Sequence, residues 1–216
     1  MRAPSPNMMF TAGTRYRWDD GTHSVIDVQS AGALRLPTGH LIVQDPGWGV
    51  QPEVQPFIVK VPPGRYPVTL SISHWERSPV PQRPSPMRLV NAARLNIRAE
   101  SAVSWELALQ PGQDAELLED GSFFGFSVDS GAGCFLDASA RDHLELDRPA
   151  MSNAIYRTIQ VGGIEVPTDD PDLNVIVFRC GMGDGTYPTW IGRARNGEVA
   201  CFVADFELLQ HSLGTL

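Results

Sequence analysis

The stretch "TYPTWIGRARNGEVACFVADF", residues 186–206, constrains the fold more than any other part of the chain. Asn196-Gly197 between two strand-like runs is the strongest short hairpin signal, and it predicts a two-residue type I′ turn with positive φ at both central positions. With those residues as the loop, Arg195 faces Glu198, Ile191 faces Phe202, Trp190 faces Val203 and Pro188 faces Asp205. Side chains alternate along a strand, so one face carries Trp190, Val199, Cys201 and Val203, and the other Tyr187, Ile191, Phe202 and Phe206. Both faces are apolar. Each must be covered, which puts the hairpin at the centre of a layered β structure.

The rest of the chain reads mostly as strands. "HLIVQDP" is a short apolar strand that stops at Asp45-Pro46, where proline removes a donor and holds the preceding residue extended. "PFIVKVPPGRYPVTLSISHW" predicts a hairpin about a type II turn, with Pro63 at its second position and Gly64 at its third. In "NAARLNIRAESAVSWELAL", Leu95, Ile97 and Ala99, then Val103, Trp105, Leu107 and Leu109, recur with period two and predict a second hairpin. Two strands are expected to flank Asp129-Ser130-Gly131-Ala132-Gly133 in "FFGFSVDSGAGCFLD". "NVIVFRC" supplies another strand, and helical spacing lies between Ala138 and Gln160, with Pro149 kinking or dividing the helix. The fold expected is mainly β (α+β): an antiparallel β-sandwich or partly closed barrel with one helical insertion near 138–160. It is read as a single domain over 1–216, with residues 1–30 as an N-terminal arm or short edge element and the proline-rich 78–87 as a surface loop.

Composition narrows the function classes. The 216 residues are 42% hydrophobic and 19% charged, as in ordinary globular chains. Net charge is −8 and Lys60 is the only lysine, so phosphate backbones should be repelled and no nucleic-acid partner is expected. Cys134, Cys180 and Cys201 form an odd set without C-x-x-C spacing, which suits a reducing compartment. "MRAPSPNMMFTAG" holds no apolar run for a signal segment or membrane span, and a soluble cytoplasmic protein is the expectation.

No cofactor is expected, because neither a P-loop nor a G-x-G-x-x-G opening a helix is present. His23, His40, His74, His143 and His211 never fall at zinc-site spacing, so no metal motif is assigned. Cys134, between Gly133 and Phe135, reads as a buried small residue more readily than as a nucleophile, and Glu106 beside Trp105 as solvent-facing. The aspartates stand out, since Asp45, Asp129, Asp137, Asp184 and Asp205 all fall at strand ends or in Gly/Pro turns. Such loops gather binding and catalytic groups, and clustered carboxylates suit divalent cations or acid/base work. Turn formation is the competing use, with Asp184 bonding backbone amides of its own Gly-rich loop and Asp205 ending its strand.

The blocks "GFSVDSGAGCFLD" and "GMGDGTYPTWIGRARNGEVACFVADF", with Asp45-Pro46, "VPPGRYPV" at 61–68 and "NAARL…SWELA" at 91–108, resemble a bacterial family catalogued as domain of unknown function 4241. The resemblance spans roughly residues 36–206 and implies a shared β-rich fold without an established reaction. Members often carry Trp before the Gly-Asp-Gly, where this chain has Met182. The function expected is a soluble module that binds a protein or small-molecule ligand at the Asp/Gly-rich loops. Its candidate residues are Asp45, Trp48, Asp129, Asp137, Asp184, Tyr187, Trp190 and Asp205. A metal-assisted or acid/base hydrolase or lyase using the aspartates is the alternative.

Overall fold

A computed structural model describes residues 6–77 and 86–215, so most of the 78–87 loop lies outside the described residues. Two antiparallel sheets pack face to face. The larger is curled and runs β1 (Arg15–Arg17), β2 (His23–Leu36), β4 (Gly64–Trp75), β5 (Met87–Asn96), β12 (Val199–Asp205), β11 (Gly185–Arg193) and β6 (Ser104–Leu107); β7 (Gly125–Val128) continues the edge beyond β6, also on β11. The smaller runs β3 (Leu41–Gln44), β8 (Ala132–Asp137), β10 (Asn174–Arg179) and β9 (Gly163–Pro167).

The inner core lies between the sheets, with Leu34, Leu70, Ile72, Leu95, Ile191 and Phe202 meeting Leu41, Val43, Phe135, Ile176 and Phe178. Helix α2 (His143–Leu146) and helix α3 (Arg148–Val161) cover the outer face of the smaller sheet through Leu144, Met151 and Ala154. The expected helical insertion is thus divided just before Pro149, which sits in the first turn of α3 where its missing N–H costs nothing; Asp147 caps that turn. On the larger sheet's outer face, Met9, Phe10, Tyr16 and Trp18 from the amino-terminal segment, which includes α1 (Pro6–Met9), and Leu209 near the carboxyl end make a third core.

Of the two readings for the amino-terminal 30 residues, the described part, from residue 6 on, is an edge element rather than an arm: it supplies the edge strand β1, more than half of the fourteen-residue β2 and part of a core. Two predicted hairpins are corrected as well. Gly64 does not have positive φ and opens β4, which pairs with β2 and β5, while residues 57–61 run alongside 39–41 through Phe57 N–H to Leu41 O and Val61 N–H to Gly39 O. The two halves of 91–109 do not pair with each other, because β5 lies between β4 and β12 whereas β6 joins β11. Likewise β7 and β8 flank the Asp129 loop but belong to different sheets, so that loop carries the chain across the sandwich.

The central hairpin has the expected pairing, with Trp190 opposite Val203 and Ile191 opposite Phe202. Its turn differs. Gly197 N–H reaches Ala194 O at 2.9 Å, only Gly197 has positive φ (82°), and the register shifts at Gly192/Arg193. This is a β-turn followed by a left-handed glycine and a bulge, a standard longer hairpin loop. The bulge moves Val199 into the inner core, away from Cys201 and Val203, with which strict alternation had grouped it. A Cβ on Gly197 would meet nothing within 4 Å, so Gly197→Val costs backbone strain alone. A loss of about 1–2 kcal/mol in urea unfolding is expected; neutral behaviour would show that the turn does not require its left-handed residue.

Candidate functional site

The aspartates do different jobs. Asp45 is fully buried after β3: one carboxylate oxygen accepts from Gly47 N–H (2.7 Å) and Ser130 Oγ (2.6 Å), the other from Asp129 N–H (2.8 Å) and Ser130 N–H (2.7 Å). Asp137, also fully buried, ends β8 and accepts from the N–H and hydroxyl groups of Thr38 and Ser139. Leu41 faces Asp137 and Gln44 faces Cys134, so these two carboxylates clip opposite ends of the β3–β8 pair. Each is consumed by the turns it closes.

Asp129 and Asp184 are exposed, and the Asp184 carboxylate makes no hydrogen bond among the described residues, unlike the amide-bonding role expected of it. Asp205 is buried at the end of β12; one oxygen accepts from Glu207 N–H at 2.9 Å and the other has no partner among the described residues. Burial pushes its carboxyl up to about 7, helped by the Glu207 charge and opposed by the Glu207 amide and, weakly, by Gln210. The Asp205 and Asp184 segments do approach, since a Cβ on Gly181 would lie 3.0 Å from the Cβ of Phe206. Their carboxyl groups do not converge, because Asp205 shares the outer face of β12 with Val203 while Asp184 faces solvent. No group of three His, Cys, Asp or Glu side chains among the described residues is placed to hold a metal ion.

The aromatic candidates also separate. Trp48 is 57% exposed, Tyr187 lies in the inner core with its hydroxyl on Gly183 O (2.9 Å), and Trp190 lies in the outer core. Cys134 is fully buried, and burial together with the Asp45 charge drives its thiol far above the ordinary range, which removes the thiolate that nucleophilic chemistry needs.

What sequence reasoning missed at this pole is Arg179. The last residue of β10, it is half-buried, with its guanidinium pressed over Gly131 in the Asp129 loop and 3.5 Å from a Cβ built on Gly183 in the Asp184 loop. Gly131 has φ 71°, and any side chain there would run into that guanidinium. Arg179, Arg88, Gly162 and Gly181 line a cavity of about 200 Å³ floored by Ile72 and Val90. Neither guanidinium has a carboxylate at ion-pairing distance or a hydrogen-bond partner among the described residues, and "SPVPQRPS" at 78–85 contains no acid. The carboxyl end of α3 opens on the same cavity, but its dipole supplies only about half a negative charge against two full cations.

The family model described as a protein of unknown function, DUF4241, matches residues 34–204. The chain belongs to this family. The match spans β3 to β12 and every residue of the Arg88–Arg179 cavity, and it leaves β1 and the start of β2 outside. Comparison with curated proteins and with solved structures returns no match. Among the described residues, no helix is long and apolar enough to cross a membrane.

Proposed function

We propose that the chain is a binding module that takes a small anionic ligand in the cavity between β5, the end of α3 and the Gly181–Gly185 loop. One observation carries this reading: two arginines, Arg88 and Arg179, line one half-enclosed cavity and have no carboxylate at ion-pairing distance among the described residues. A partly desolvated guanidinium gains most from a planar, charged acceptor such as a carboxylate or phosphate. The apolar floor of Ile72 and Val90 gives the ligand's uncharged part a surface to cover. Cys134, Cys180 and Cys201 are all buried and unpaired, which fits a reducing, cytoplasmic setting for the module.

Thermal unfolding in low salt, titrated with inorganic phosphate, acetate and succinate, tests the assignment. At least one anion should give a saturable stabilisation, about 2.7 kcal/mol at a hundred times its Kd. Arg179→Gln should abolish that response and Arg88→Gln should weaken it about tenfold, the cost of one charged hydrogen bond. A wild-type protein with no saturable response, or a response unchanged in Arg179→Gln, rejects the site.

A further inference from the structure

The strands of the larger sheet outrun the smaller sheet, and their overhanging end carries several arginines and histidines. Arg15 pairs with Val25, Val25 with His74, and His74 with Arg88, so these four residues lie in line across β1, β2, β4 and β5 on one face. That face bears Ile72 and Val90 further along, where it is covered by the end of α3. Beyond them Arg15, His23 and Arg88 are exposed and His74 is half-buried. Arg17 faces His23 in the neighbouring row of the same face, and a recess of about 490 Å³ is lined by Arg15, His23, His74, Glu76 and Arg77. Arg15, Arg17 and Arg77 have no carboxylate at ion-pairing distance among the described residues; nearby acids include Glu76, Asp20, which accepts from Thr22 at the recess, and Asp27, 3.6 Å from His74. Five arginines without a carboxylate at ion-pairing distance among the described residues, Arg15, Arg17, Arg77, Arg88 and Arg179, thus lie along a strip that runs from Arg15 through Arg88 into the Arg179 cavity.

We infer that this strip and the Arg88–Arg179 cavity form one continuous site for a short, polyphosphate-bearing small molecule. The inference rests on the anion-binding reading of the cavity and names its ligand class. From Arg15 to Arg88 is three strand spacings, roughly 14 Å, which several phosphate groups can follow while one end group seats on Arg179. A long nucleic acid fits less well. Its charge would extend past the strip onto an acidic surface, and the strip's field fades within about 8 Å at physiological salt. A short polyanion stays inside that range and gains from each successive guanidinium, since the second contact of a tethered pair forms at high effective concentration.

Calorimetric titration with orthophosphate, tripolyphosphate and a linear polyphosphate long enough to span the row, against wild type, Arg179→Gln and the double variant Arg15→Gln/Arg77→Gln, tests it. Affinity should rise at least tenfold from orthophosphate to the spanning chain in the wild type. The double variant should lose most of that rise and keep wild-type orthophosphate binding. Arg15 and Arg77 are surface residues, so folding is expected to survive their change. Orthophosphate binding that depends on Arg179 without any gain from chain length sinks this inference and leaves the cavity reading standing; no binding of any phosphate ends both. A gain that persists in the double variant, or a single-stranded oligonucleotide that displaces the spanning polyphosphate at equal phosphate concentration, also overturns it, the latter in favour of a nucleic-acid partner.

Discussion

Asp45→Ala is expected to destabilise the fold by about 3–5 kcal/mol, because it strips acceptors from three backbone N–H groups and a hydroxyl at a buried junction. Those groups belong to two segments more than eighty residues apart, the turn after β3 and the loop that crosses from β7 to β8. Both sheets therefore feel the loss. Asp45→Asn separates this structural role from a merely acidic one. An Asn amide must aim its NH₂ either at the Gly47 N–H or at the Asp129 and Ser130 N–H groups, a donor–donor conflict in each orientation. Asn is thus expected to lose at least about 2 kcal/mol as well, and an Asn variant as stable as wild type in urea unfolding would refute the clip.

Asp45 also shows what the sequence made legible and what it did not. Its place before a proline marked a strand end correctly, and its distant hydrogen-bonding partners, Asp129 and Ser130, gave no sign of themselves. The β11–β12 pairing was readable because a turn signal and period-two alternation agree locally. The bulge was not, since no turn signal or break in alternation marks it; Gly192 beside it is closely packed, and a Cβ there would lie 2.8 Å from the Cys201 sulfur. Strand β2 escaped notice for a related reason. Before its register shift at Ser30/Gly32 the even residues Ile26 and Val28 face the outer core, and after it Leu34 and Leu36 face the inner one. A pattern that changes faces midway, with polar residues on the overhang, does not look like one strand.

The candidate site failed to show itself for a topological reason. Arg15, His74 and Arg88 are unremarkable where they stand in the sequence, and only the register of four strands aligns them. Net charge pointed away from anions. It averages over the whole surface, whereas binding responds to the local field. The glycines around Asp129 and Asp184 were conspicuous, and part of their reason is the guanidinium of Arg179 lying over Gly131 and beside Gly183.

The remaining large effect is on pH dependence and comes from Asp205. An unfolded aspartate titrates near 3.8, and burial pushes the folded group up to about 7, so between these values the folded chain holds a proton that the unfolded chain has released. Stability contributed by this group must therefore fall as pH rises from about 4 to 7, and level off above that. A shift of this size corresponds to roughly 4 kcal/mol in the limit where nothing rearranges, and relief by the carboxyl-terminal turn will reduce it. That turn has a reason to yield: Glu207, which donates to Asp205, is the only non-glycine residue with positive φ (54°) among the described residues. Asp205→Asn keeps an acceptor for the Glu207 N–H and removes the ionisation. The variant should match wild type within about 1 kcal/mol at pH 5 and exceed it by about 2 kcal/mol or more at pH 8, with a flatter stability profile between. Urea unfolding of both proteins at pH 5, 6, 7 and 8 measures this directly. Parallel profiles would mean that the buried carboxyl ionises freely in the folded chain, and that its unpartnered oxygen finds water or a side chain to hold its charge.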